Sequence, residues 1–301
     1  MPVTCARPEV DIELMGAQAH QSVAGTTVEM HPEFVLVNGR RLFCLRRRSR
    51  GVAPTTRILV VPPFAEELNK CRRLLALCAQ RLAAAGAEVW CPDLFGTGDS
   101  AGEFSDANWA QWVDEICEFD AALALAAPRA APVYLALRSG ALLLDAASAR
   151  LAEFKRAHVL LWQPVLDGAR YLQQFLRLRV MASRLAGDDE SVQSLMARLA
   201  AGELLEVGGY GLRSQLGDGL AAAQASAAVL GAARAMTILE FKNTAGATLS
   251  PPLVQFGAAC QALGCVVNVR MVACEQFWTT QEISAPVAVI DVSLAALVSE
   301  G

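Results

Sequence analysis

Histidine is among the scarcest ionisable residues in this 301-residue chain, with only His20, His31 and His158. General acid–base chemistry near neutral pH draws most often on an imidazole, so three candidates must supply it or none do. Lysine is equally rare: Lys70, Lys155 and Lys242 stand against 23 arginines, a skew that reads as G+C-rich coding rather than chemistry. A basic surplus is missing, since 26 basic and 30 acidic residues leave a formal charge of -4, which argues against nucleic-acid binding. No run of about 18 uncharged apolar residues occurs, so no membrane span is expected. The opening stretch MPVTCARPEVDIELMG has no basic segment followed by an apolar run, so no signal peptide is expected. The nine cysteines include no CxxC pair, which leaves a reduced, cytoplasmic protein without metal, cofactor or structural disulfide as the expectation.

What remains is a chain that is 54% hydrophobic and 19% charged, enough apolar material for a substantial core and unlike a disordered segment. Residues 1–30 show no periodicity and read as an irregular leader. A hairpin follows, with strands over 34–37 and 42–45 about Asn38-Gly39, the pair that favours a type I′ turn. The basic run RRRSR at 46–50 reads as a solvated strand end, with an anion site as its sharper alternative. From Arg57 apolar strands alternate with helices: strands at 58–61, 89–91, 133–137 and 159–162, helices at 68–85, 109–125 and 141–154. Short apolar runs separated by helices of this length suit a parallel sheet covered on both faces. The alternation stops over 165–233, which reads as a helical lid, and resumes at 236–241, 252–263 and 265–272. The predicted organisation is an α/β core over 31–164 and 234–301, interrupted by the lid.

The element order and several motifs resemble the α/β-hydrolase fold. After one strand comes DLFGTGDS (93–100), like the DxxGxGxS loop of many such proteins. PPFAEELNK (62–70) with Arg72 and Arg73, LWQPV (161–165), QFLRL (174–178) and FWTTQE (277–282) together resemble the exosortase A system-associated hydrolases, second type. The likeness spans about 57–282. It implies a hydrolase or acyl-transfer enzyme in an exopolysaccharide setting, acting on an acyl or carboxylate-bearing small molecule, with a non-catalytic ligand-binding or scaffold protein of such a system as the alternative. An acyl carrier protein and a second copy of the chain are the partners it leaves open.

The fold's usual machinery tests poorly against the residues. Its nucleophile occupies a sharp strand-to-helix turn flanked by small residues, which places the turn within ALRSGA (136–141). Ala136 and Gly140 flank Arg138 correctly. Centring Ser139 instead puts Leu137 where a small residue is wanted, so Arg138 is favoured and Ser139 stays open. Arginine remains protonated and cannot attack. A histidine is expected after the last strand, yet the sequence there is ACEQ (273–276). His20 and His31 precede the sheet, and His158 starts its strand, roughly 16 Å of extended chain from Gln163. Beyond 236–241, where the acid belongs, stand Lys242, Asn243 and Thr244.

The candidate catalytic residues are therefore Ser139, Glu66 and Glu67; the candidate substrate-binding residues are Arg138, Phe64, Ala65, Gln163 and Trp278. Arg138 at a helix start would clamp a carboxylate or phosphate in a bidentate geometry. Glu66 or Glu67 would neutralise it or serve as a general base, or would simply open a helix. Lys70, one turn after Glu66, is expected to pair with it. Trp162, Tyr171 and Phe175 are expected to line the pocket or to pack within the lid. Asp93 and Asp99 read as braces of the glycine turn, and Cys274 as an inert thiol.

Overall fold

The computed structural model describes residues 12–14, 19–23, 26–244 and 246–298. Among the described residues ten strands form one sheet. Six run parallel in the order β6 (Ala87–Pro92), β5 (Thr56–Val61), β7 (Ala131–Leu137), β8 (His158–Trp162), β11 (Ala235–Lys242), β12 (Val266–Ala273). β4 (Arg40–Ser49) joins β6 antiparallel, and β3 (Thr26–Val37), β1 (Ile12–Leu14) and β2 (Ala19–Val23) extend that edge. The described part of 1–30 is thus strand rather than irregular leader: Val28 is buried, residues 28–37 pair along β4, and 26–30 pair with β2. The missed signal is mixed, since Glu29, His31 and Glu33 face inward among apolar neighbours. Asn38 and Gly39 take the left-handed φ of 49° and 77° that a type I′ turn requires.

Helices α1 (Glu66–Ala84) and α9 (Val287–Val298) cover one face of the sheet. α2 (Trp109–Ala126), α3 (Gly140–Ser148), α7 (Ala227–Leu230) and α8 (Pro251–Ala262) cover the other. The apolar strand runs follow from that sandwich: residues 57–61 and 158–162 are buried throughout because both faces meet helices. α3 stops at Ser148, short of the expected 154, and a 3-10 turn over Phe154–Arg156 leads into β8. Residues 165–233 hold α4 (Gly168–Ala186), α5 (Val192–Ala200), a small hairpin of β9 (Leu205–Val207) and β10 (Tyr210–Leu212), then α6 (Ser214–Ala222) and α7. α4 lies over the C-terminal ends of the strands, because its aromatic side chains pack on Phe64 just beyond β5.

Asp145 of α3 fastens the end of this segment to the core by accepting the Ser226 N–H at 2.7 Å. Burial pushes its carboxyl up to about 6, with the Ser226 bond opposing the rise. A folded-state value above the unfolded one means ionisation weakens the fold, so this contribution is present below about pH 4 and lost as pH rises through about 6. Asp145→Asn, which keeps the acceptor without the charge, should melt above the wild type at pH 7. The gap should close by pH 4 in thermal unfolding followed by circular dichroism.

Candidate functional site

In the sheet order, β6 lies on one side of β5 and β7 on the other. Chain direction across the sheet therefore reverses at β5, and in open α/β sheets ligands bind beyond the strand ends at such a point. Three of the four non-glycine residues with positive φ among the described residues stand there: Ala65 after β5 (51°), Arg138 after β7 (50°) and Gln163 after β8 (43°). Such conformations cost about 1–3 kcal/mol each and persist only where surrounding structure enforces them. Arg138 thus holds the sharp turn, while Ser139 has helical dihedrals and caps α3. The small flanks have a steric reason. Ala136 is fully buried, and a Cβ on Gly140 would collide with the Val61 carbonyl.

The Arg138 side chain reaches into a cleft of about 370 Å³ between α1, α4 and the segment after β12. Its Nη2 and Nε donate to Glu67 Oε1 at 3.2 and 3.3 Å, and Nη1 donates to the Gln163 carbonyl at 3.3 Å. The guanidinium also lies 4.8 Å from the Trp278 ring centre and 5.9 Å from that of Tyr171. Tyr171 donates its hydroxyl to the other oxygen of Glu67, at 2.8 Å. Burial and the Glu67 charge raise the Tyr171 phenol well above its usual value, so it stays a neutral donor. Arg138, Tyr171 and Gln174 also border a shallower groove of about 260 Å³ toward α8. Arg138 is therefore the one cation shared by both depressions, and its planar fork is half occupied by Glu67.

The other expected residues separate into those at the cleft and those away from it. Glu66 points elsewhere than Glu67: it accepts from Asn69 Nδ2 at 3.1 Å and the Tyr210 hydroxyl at 3.2 Å. Phe64 lines the cleft and is the hub of the lid contact, edge-on to Phe104, Trp112, Tyr171 and Phe175. Ala65 is buried as the cap of α1. Gln163 borders the groove, and its side-chain oxygen accepts the Phe241 N–H at 2.7 Å. Trp278 walls the cleft.

Ser139 needs correction. Its side chain lines neither depression, the residue is 2% exposed, and its Oγ accepts the Phe64 N–H at 2.9 Å. That bond takes one lone pair of the hydroxyl, which also interacts with the Tyr171 side chain, and it engages a backbone donor of the loop that could otherwise face an oxyanion. Trp162 turns away from the site into the opposite core, donating to Ser293 Oγ at 3.0 Å. Lys70 does not pair with Glu66 but donates to the Thr280 carbonyl at 2.8 Å, fastening the segment behind Trp278 to α1.

Of the histidines, His158 is buried at the start of β8, 3.0 Å from Thr237 Oγ1. His31 is buried in β3 beside Glu29, and His20 lies on β2. Glu240, the carboxylate nearest the end of β11, accepts the Ser250 N–H at 2.7 Å and meets Lys242 at 3.2 Å. Burial pushes the Cys274 thiol up to about 11, opposing a thiolate. Asp93 accepts the Asp99 N–H at 3.1 Å and meets Arg72 at 2.9 Å, which braces the turn through Gly96 and Gly98. Among the described residues no group of three or more His, Cys, Asp or Glu side chains is placed to hold a metal ion.

No protein-family model matches the chain, and no curated protein matches it. Solved structures do. A ferulic acid-bound Est1E from Butyrivibrio proteoclasticus superposes with a TM-score of 0.60 at 11% identity, covering 87% of this chain and 95% of that one. The fold is that of the α/β-hydrolases. An acetyl xylan esterase from Paenibacillus sp. R4 aligns with a TM-score of 0.54 at 12% identity over 97% of this chain and 89% of its own. The α/β-hydrolase GrgF from Penicillium sp. sh18 gives 0.51 at 12% over 93% and 97%. At these identities the likeness concerns the fold alone.

Sequence reasoning underrated α4. Tyr171, Gln174, Phe175 and Leu178 follow the i, i+3, i+4, i+7 spacing of one helix face, and all four line the cleft. Tyr210 carries no sequence signal, since only the β9–β10 hairpin brings it to Glu66. Removing the Tyr171 hydroxyl should leave one Glu67 oxygen with a lost donor. Tyr171→Phe should cost about 1–2 kcal/mol in urea unfolding, and less than half that in a Glu67→Gln background.

Proposed function

We propose that the cleft accepts a small acyl compound bearing a free carboxylate, and that the chain is a hydrolase or acyl-transfer enzyme for it. The observation that carries this reading is the Arg138–Glu67 pair, a guanidinium at the turn where the fold usually presents a nucleophile. A ligand carboxylate competes with Glu67 for the fork of Arg138. Glu67, once displaced from the guanidinium, is still oriented by the Tyr171 hydroxyl and has an oxygen free to act as a general base. It then takes a proton from water, the hydroxyl oxygen adds to the ester carbonyl, and the alcohol or thiol departs with the proton. Phe64, Trp278 and Phe175 supply apolar walls for the acyl body. The esterase-fold neighbours and the sequence likeness to exosortase A system-associated hydrolases support an acyl substrate, carried in that setting on an acyl carrier protein in the cytoplasm.

A second reading, binding without turnover, is favoured by the closed Ser139–Phe64 contact, which spends an oxyanion donor. Two esters separate the readings: the mono-p-nitrophenyl ester of succinic acid, and p-nitrophenyl butyrate, which lacks the carboxylate. Turnover should favour the succinyl ester at least tenfold, fall at least tenfold in Glu67→Gln, and lose its preference in Arg138→Met. Succinate binding without turnover of either ester would establish the second reading. Equal turnover of both esters, or no affinity for the succinyl ester, would contradict the carboxylate clamp.

A further inference from the structure

The arginine run at 46–50 is not uniformly solvated. Arg46 pairs with Glu88 and lies 3.6 Å from Glu33, while Arg48 and Arg50 both meet Glu29, at 3.2 and 3.5 Å. Arg47 alone turns inward. It is 6% exposed; Nη2 donates to Met30 Sδ at 3.5 Å, and Nη1 is buried without any hydrogen-bond partner. Among the described residues no carboxylate forms an ion pair with it. The ionisable groups that act on it are the Cys91 and Cys44 thiols, both pushed upward by burial, Cys91 to about 11. Burial lowers the Arg47 guanidinium from its usual value, but arginine remains protonated in proteins. An unneutralised buried cation is among the costliest features a fold can carry.

Arg47 borders a cavity of about 190 Å³ between β4, β5, β6 and α1. Its walls are apolar, with Phe43, Leu45, Val60, Leu68 and Leu75 among them. A second guanidinium enters from α1: Arg72 Nη1 is held by Asp93 at 2.9 Å, whereas its Nη2 is buried and unpartnered. Arg47 and Arg72 therefore line one largely apolar chamber whose single carboxylate, Asp93, is already engaged; the free Arg72 nitrogen lies toward Gly98, which leaves Arg47 as the unmet cation of the chamber. The chamber shares no lining residue with the Arg138 cleft.

We propose that this chamber is a second ligand site, for a small monocarboxylate with an apolar body whose charge is met by Arg47. A singly charged head matches the nitrogen groups available. Phosphate would leave most of its oxygens against hydrocarbon. The volume lies below the roughly 300–1,000 Å³ usual for drug-sized ligands, so the occupant is small. Octanoate has the required chemistry.

Calorimetric titration and thermal unfolding of the full chain with octanoate test the site. The wild type should bind octanoate saturably and gain Tm with ligand concentration. Titrations in an Arg138→Met background, which removes the carboxylate clamp of the cleft, should still show saturable binding, and adding Arg47→Met should lower its affinity at least tenfold. Octan-1-ol should bind at least tenfold more weakly than octanoate, and inorganic phosphate should not compete. Without ligand, Arg47→Met should melt above the wild type, because the uncompensated charge is gone. Ala76→Trp, at a half-exposed position on the chamber wall, should block octanoate while leaving Arg47 in place. No saturable binding by the folded wild type would overturn the proposal. So would binding lost only in Arg138→Met, competition by phosphate, or octanol binding as tightly as octanoate. A lower apo Tm in Arg47→Met, with octanoate affinity intact in Ala76→Trp, would make Arg47 a structural residue and overturn it as well.

Discussion

The ion pair between Arg138 and Glu67 organises the C-terminal edge of the sheet. Arg138 is delivered by the β7–α3 turn, Glu67 by the first turn of α1, and Tyr171 reaches Glu67 from the lid. Three parts of the chain distant in sequence thus meet on one carboxylate. Both partners keep some solvent contact, 16% and 18% of their side-chain surface, so the pair is neither sealed in the core nor fully screened. A partly desolvated pair of this kind is costly to break by deletion but open to exchange by a competing anion. That exchangeability is what the proposed recognition of a ligand carboxylate rests on.

Backbone geometry enforces the arrangement. Ala65, Arg138 and Gln163 all adopt left-handed conformations although none is glycine. The Arg138 carbonyl accepts the Val165 N–H, its own N–H donates to the Trp162 carbonyl, and the Gln163 N–H donates to the Leu239 carbonyl. Adjacent strand ends therefore lock one another. The strain is held by the parallel register of β7, β8 and β11 rather than by any single contact.

Much of the fold was legible because the core strands are continuous apolar runs and because α1, α2 and α8 stop just before Gly86, Pro128 and Gly264, whereas α3, which has no such residue, ends earlier than expected. Asn38-Gly39 and the small residues about Arg138 were legible for steric reasons that the structure bears out directly. The first strands were not, since β3 buries Glu29, His31 and Glu33 and so breaks the apolar alternation. At the site, residue type and position singled out Arg138, Glu67 and Trp278 as candidates, and the structure brings all three to one cleft. The orientation of neighbouring side chains could not be read: Glu66 and Glu67 are consecutive yet face different partners, and Ser139 caps a helix with its hydroxyl turned to Phe64. Nor could Arg47 be told from its flanking arginines, because only strand alternation and the cover of α1 decide which of them is buried.

The central claim is that Arg138 serves as a carboxylate clamp which Glu67 closes when no ligand is present. A crystal structure of the protein soaked with monomethyl succinate tests it most directly. The account predicts the ligand carboxylate on the guanidinium of Arg138, with Glu67 displaced from it and still bonded to Tyr171. An intact Arg138–Glu67 pair beside an empty cleft, at a ligand concentration that saturates binding in solution, would contradict it.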